Sequence, residues 1–220
     1  MNSTVLIVPG YRGSGAAHWQ SWLQAKIAGS QRVTGIDWNA PVLSRWADQV
    51  AAAIDRSTKP VWIVAHSFGC LASAVAIARQ PAKVAGAVLV APADPERFSR
   101  DGVRDRTRDS HSESVKSLLP VGALAEMGLL IASENDPWLD YNDARGLAER
   151  WKLPLFNARQ AGHINVESGF GPWPLLYDLL KAMCLDGDEP KYAPAKRPAR
   201  YPAPAAPAEP RGWRQQLAYI

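Results

Sequence analysis

The sequence predicts an α/β domain built on a parallel sheet of about six strands, with helices on both faces. Short apolar, β-branched runs alternate with helix-forming runs along the chain, the pattern of strand–helix–strand units. Several strand-like runs are apolar at consecutive rather than alternate positions, as expected where both faces of a sheet are covered. The 220 residues are 47% hydrophobic and 21% charged, enough for one domain with a sizeable core.

Strands are expected at Thr4–Val8, Arg32–Ile36, Val61–Ala65, Val84–Ala91, Gly128–Ser133 and Leu155–Ala158. Helices are expected at Ala17–Ala28, Ser44–Arg56, Phe68–Arg79, Asp140–Trp151 and Trp173–Met183. Ser44 is placed to cap the second helix, ahead of Trp46, Val50 and Ile54 at helical spacing. The domain is expected to span residues 1–186. Within it, residues 92–127 interrupt the rhythm with a mixed-charge stretch, PERFSRDGVRDRTRDSHSES. So long a connection reads as a lid or a solvated excursion with no regular structure assigned. Residues 187–220 hold seven of the 18 prolines and read as a Pro/Ala-rich, largely disordered tail. The tail ends in RGWRQQLAYI, an apolar end able to dock on the body or on a partner.

Charge and cysteine content exclude several classes of function. The net charge is +4, but residues 187–220 carry six Lys/Arg against three Asp/Glu, leaving the body nearly neutral at 19 against 18. That distribution gives no basic folded face, so nucleic acid is not an expected partner. No run of 18 apolar residues is present, and the N-terminal MNSTVLIVPGYRG lacks a basic region before its short apolar stretch, so neither a membrane span nor a signal peptide is expected. Two cysteines, Cys70 and Cys184, cannot form a disulfide framework or a cysteine-rich zinc site, and a cytoplasmic protein without metal or cofactor is expected.

The strongest local signal is VWIVAHSFGCLASAVAIA. A strand runs through Ala65-His66-Ser67-Phe68-Gly69 straight into a helix, the small-x-Ser-x-Gly turn that lifts a serine hydroxyl above a sheet. Ala65 stands where the first glycine is usual. The alternative reading is that Ser67 only caps the helix. A serine nucleophile needs a histidine base and an acid to orient it, in the chain order Ser, acid, His for such a sheet. Of four histidines, His18 precedes the serine, His66 adjoins it and His111 lies in the charged excursion. His163, in QAGHIN after the last strand, is the candidate base. Asp136 in ASENDPW is the preferred acid, with Asp94 second and Glu134 a further alternative. An oxyanion needs two backbone donors: Phe68 after the serine, and Tyr11 in VPGYRGSGAAHW, with Arg12 as fallback. GYRGSG matches neither nucleotide-binding glycine pattern. Trp19, Trp138 and Trp173 flank these loops and are candidates to line a pocket.

On VPGYRGSGAAHWQSWL, VAHSFGCLA, ASENDPW and AGHINVESGFGPWP, the chain resembles the retinoblastoma-binding protein nine / YdeN-type serine hydrolases, a small α/β-hydrolase family, over about residues 3–184. The resemblance implies a compact six-stranded parallel sheet without two leading strands, in the order 2-1-3-4-5-6, and a Ser67–His163–Asp136 triad. It implies hydrolysis of a small carboxylic ester, thioester or amide through an acyl-enzyme on Ser67. The alternatives are a binding protein on a hydrolase scaffold that recruits a partner through its tail, and an acyltransferase.

Overall fold

The computed structural model describes residues 3–104 and 112–185. The proline-rich tail, His111 and part of the charged excursion therefore lie outside the described residues. Among the described residues no helix is long and apolar enough to cross a membrane.

Eight strands form among the described residues: β1 (Thr4–Val8), β2 (Gln31–Arg32), β3 (Val61–Ser67), β4 (Val84–Pro92), β5 (Phe98–Ser99), β6 (Gly102–Val103), β7 (Met127–Ala132) and β8 (Leu155–Asn157). Six of them make one parallel sheet in the order β2-β1-β3-β4-β7-β8, and β5 and β6 form a separate antiparallel pair. With that hairpin set aside, the order is the expected 2-1-3-4-5-6. The helices are α1 (Trp19–Lys26), α2 (Leu43–Arg56), α3 (Phe68–Arg79), α4 (Tyr141–Trp151) and α5 (Pro174–Leu180), the last continuing as a π-turn over Lys181–Leu185.

Period-two alternation splits the strands between two cores. In β1, Leu6 and Val8 join a cluster with α2, α3 and α4, while Val5 and Ile7 face the opposite cluster with α1 and α5. In β3, Ile63 and Ala65 follow the first pair, and Trp62 and Val64 the second. Both faces are thus buried, which is why these strands read as unbroken apolar runs. On α2, the buried Leu43, Trp46, Val50 and Ile54 recur at helical spacing and present one stripe to the sheet.

Three expectations shift. The second strand is only two residues long, because Gly35 takes a positive φ of 79° and turns the chain away. Helix α2 begins one residue earlier than expected: Val42 is its N-cap, no side chain caps it, and Ser44 sits inside the first turn. Burial of Leu43 draws that residue into the helix. The described part of the excursion also packs more closely on the body than its charges imply. Phe98, Val115, Leu119 and Leu124 are buried in the α2–α3 core, and Glu96 bridges Arg104 at 3.6 Å and Lys116 at 3.5 Å. These apolar anchors are scattered among charged residues, so they carry no period.

The tightest join lies between α3 and the end of β1. A Cβ added to Gly69 would meet the carbonyl oxygens of Pro9 and Val8, the latter at 2.7 Å. Backbone cannot yield there as a flexible side chain would. Gly69→Ala should therefore lower stability by about 2 kcal/mol or more. Gly146→Ala, inside α4 with nothing within 4 Å of the new Cβ, should raise it by about 0.5–1 kcal/mol. Denaturant titration reads both, and an unchanged midpoint for Gly69→Ala would contradict the close approach.

Candidate active site

The carboxyl ends of β1, β3, β7 and β8 carry the loops that meet at Ser67, as expected for the crevice of an open parallel sheet. Ser67 ends β3 with φ 53° and ψ −126°, and its side chain makes no capping bond to α3. The capping role considered for it is thus not taken. A non-glycine residue in that region is strained, and the pairing of β3 with β4 shifts register between His66 and Ser67. The turn leaves Ser67 Oγ 3.0 Å from His163 Nε2. On its other side, His163 Nδ1 lies 2.9 and 3.0 Å from the two carboxylate oxygens of Asp136. The Asp136 and His163 side chains are only 3% and 9% exposed, so little water screens the pair.

This geometry selects one tautomer of the neutral His163 imidazole. An ionised carboxylate only accepts, so Nδ1–H of His163 donates to Asp136. Nε2 then accepts from the Ser67 hydroxyl. Asp136 is held in turn by the Trp138 amide, which donates to Oδ1 at 2.8 Å. Asn135 Oδ1 accepts from the Gly162 amide at 2.7 Å and lies 2.7 Å from the Ser133 hydroxyl, tying the acid loop to the histidine loop. The other two acids are engaged elsewhere. Glu134 accepts from Asn157 and Gln160, and those bonds hold its carboxyl below the usual range. Asp94 caps the turn at Pro95–Arg97 through the Glu96 amide and pairs with Arg97 at 3.8 Å.

The loop after β1 packs directly on the serine. A Cβ on Gly10 would fall 2.6 Å from Ser67 Cβ and 3.3 Å from its Oγ, so only glycine admits the loop so close. Tyr11 follows it, and no backbone partner for its amide occurs among the described residues. Phe68 is the first residue of α3, so its amide has no partner within the helix. The fallback donor is unavailable: the Arg12 amide donates to the Trp38 carbonyl at 2.8 Å. Behind the loop, Gln20 Nε2 donates to the carbonyls of Val8 and Val64 at 3.0 and 3.3 Å, fixing the loop to both strands. Gln20 carried no signal in the sequence, being one polar residue in a short helix.

The three tryptophans separate. Trp138 is 37% exposed, its ring 6.0 Å from that of His163, with the Arg97 guanidinium 5.0 Å over it. Trp19, at 0% exposure, is core rather than pocket wall, and its indole N–H donates to the Ile164 carbonyl at 2.8 Å. Trp173 is half-buried, packing edge-on against Trp19 at 5.6 Å and against Phe170 at 5.0 Å. Flanking a loop in sequence did not place the Trp19 ring at the crevice, because α1 turns that face to the second core. Cys70 is a buried thiol, raised by burial and pointing to the Val90 carbonyl at 3.4 Å. Among the described residues no group of three His, Cys, Asp or Glu is arranged to hold a metal ion.

A sequence model of the serine hydrolase family matches residues 5–182. The chain belongs to that family. This serine hydrolase is 24% identical over 188 residues to YdeN of Bacillus subtilis (strain 168), covering 82% of this chain and 95% of that one. Among solved structures, a YdeN-like protein of Pectobacterium atrosepticum is 32% identical with a TM-score of 0.72, covering 83% of this chain and 90% of that one. Est1E of Butyrivibrio proteoclasticus, solved with ferulic acid bound, is 14% identical with a TM-score of 0.59, over 83% of this chain and 88% of that one; that likeness shows the shared fold. The six-stranded parallel sheet of this hydrolase is that of the α/β-hydrolases.

Two further histidines of the hydrolase lie beneath the crevice. His18 caps α1, its Nδ1 accepting from the Gln20 amide, and burial, with Arg32 and His163 nearby, pushes it down from 6.5 to about 4. His66 is driven well below its usual value, first by burial and then by His163 and His18. Both are neutral in the folded protein but take up protons near pH 6.5 when unfolded. The unfolded chain then binds more protons, so stability is full above about pH 6.5 and falls as pH drops toward 4. His18→Asn keeps a capping acceptor and removes one titrating group. Thermal melts at pH 7 and pH 5 should show a smaller acid loss in His18→Asn than in wild type. An equal loss would show that His18 is not held neutral.

Proposed function

We propose that this serine hydrolase cleaves a small carboxylic ester, or the corresponding thioester or amide, through an acyl-enzyme on Ser67. The observation that carries the reading is the continuous hydrogen-bonded line Ser67–His163–Asp136 in a nearly buried setting. His163 Nε2 takes the Ser67 proton as Oγ attacks the carbonyl carbon. Asp136 holds the ring in the required tautomer and stabilises the imidazolium that forms. The developing oxyanion is received by the amides of Phe68 and Tyr11, with the amino end of α3 adding a favourable field. His163 then protonates the leaving group. Water enters by the same route, giving up its proton to His163 and releasing the acid while Ser67 is regenerated. Trp138 borders the crevice in this reading and contacts the acyl or alcohol portion of the substrate.

Fluorophosphonate labelling, together with hydrolysis of a p-nitrophenyl ester, tests the assignment. Ser67→Ala and His163→Ala should lose labelling, and Asp136→Asn should lose about 10³–10⁴-fold in kcat by forcing the wrong tautomer. Glu134→Gln and Asp94→Asn should stay within a few-fold of wild type. Full labelling of Ser67→Ala, or a larger loss from either of the other two acids than from Asp136→Asn, would overturn it.

A further inference from the structure

The turn that presents His163 is strained. Ile164, a β-branched residue, has a φ of +50°, a left-handed conformation that costs roughly 1–2 kcal/mol for such a residue. A segment of that kind keeps its shape only where its surroundings over-determine it. Two successive carbonyls of this turn are each held by a buried ring N–H from a distant part of the chain. His66 Nε2 lies 2.9 Å from the His163 carbonyl oxygen, and a carbonyl only accepts, so that nitrogen carries the proton. Trp19 Nε1 donates to the Ile164 carbonyl at 2.8 Å. The rings also pack on one another: His66 is 4.9 Å from His163, 5.0 Å from His18 and 5.9 Å, edge-on, from Trp19.

The chain position of His66 gives this clamp its consequence. It immediately precedes Ser67 on β3, and its ring lies among those of His18, Trp19 and His163. One residue of backbone therefore joins the proposed nucleophile to the donor that holds the proposed base.

We propose that His66, with Trp19 behind it, is a positioning residue that sets the reach between Ser67 Oγ and His163 Nε2 by clamping the His163–Ile164 backbone. The proposal rests on the Ser67–His163–Asp136 reading above. His66 exchanges no proton with substrate in this role. What it supplies is a neutral N–H, fixed in the core, against which the strained turn is registered. Proton transfer is steep in distance, and a displacement near 1 Å can reduce rate about a hundredfold.

The test uses the full chain, with fluorophosphonate labelling rates and kcat and KM for p-nitrophenyl acetate. His66→Leu removes the N–H while keeping an apolar side chain of moderate size, and His66→Gln restores an N–H of similar reach. Trp19→Phe removes the second donor and keeps an aromatic ring. The expected results are a kcat about a hundredfold lower in His66→Leu with KM within about threefold, recovery to within about fivefold of wild type in His66→Gln, and a loss of about tenfold in Trp19→Phe. Packing alone would not distinguish Leu from Gln in this direction. Equal activity of the Leu and Gln variants, whether high or low, overturns the proposal. If His66→Leu shows no cooperative melt, Trp19→Phe decides: a tenfold loss supports the clamp and a wild-type rate overturns it. Ser67→Ala in the same experiment separates the two readings. Labelling that survives in it removes the triad itself, whereas a dead Ser67→Ala beside a fully active His66→Leu removes only the clamp.

Discussion

The approach of helix α3 to the end of strand β1 is the constraint on which the site depends. Gly69 lies against the carbonyl oxygens of Val8 and Pro9, and Gly10 lies against the Ser67 side chain. Neither contact tolerates a Cβ. Together they hold the turn at Ser67 in its left-handed conformation and keep the loop that carries Tyr11 against the serine. If α3 stood farther from β1, the serine would relax into an ordinary helix start. The hydroxyl would then serve as a cap, the role serine fills at most helix N-termini.

Strain at the crevice is spread over several strand ends. Arg12, Ser67, Ala91 and Ile164 all have positive φ, and they follow β1, end β3, sit near the end of β4 and follow β8 respectively. Three of the four are compensated locally: Arg12 by its amide bond to Trp38, Ser67 by the buried α3, and Ile164 by Trp19. The buried aromatics of both cores thus support the loops above them. Trp46 stacks edge-on against Phe68 at 4.9 Å, and Phe68 meets Phe98 at 4.5 Å, so the residue after the serine is anchored from two directions. Such preorganisation lets dipoles act on developing charge without reorganising during reaction.

The sheet was legible because its strands are buried on both faces and its longer helices carry one apolar stripe. The turn at Ala65–Gly69 was legible because strand, small residues and helix follow one another without a gap. His163 could be singled out because histidines are few, and Asp136 because the Asn135 and Pro137 beside it mark a strand-end loop. What the sequence hid are contacts between residues far apart in the chain. Nothing in its neighbours shows that Gln20 reaches Val8 and Val64, or that Trp19 meets Ile164 across 145 positions. Trp19 read as a pocket residue because sequence proximity to a loop does not report which way a helix face turns. The burial of Phe98 and Val115 in the described part of the excursion was hidden for a related reason: they are isolated apolar residues whose burial depends on where α2 and α3 lie.

The most direct measurement of the central claim is the location of the acyl group during turnover. Mixing the enzyme with a p-nitrophenyl ester, quenching in acid during the burst and mapping peptides by mass spectrometry should find one acyl group, on Ser67. A burst of p-nitrophenol matching the amount of enzyme should accompany it. An acyl group on another residue, or turnover with no acylated peptide, would contradict the mechanism.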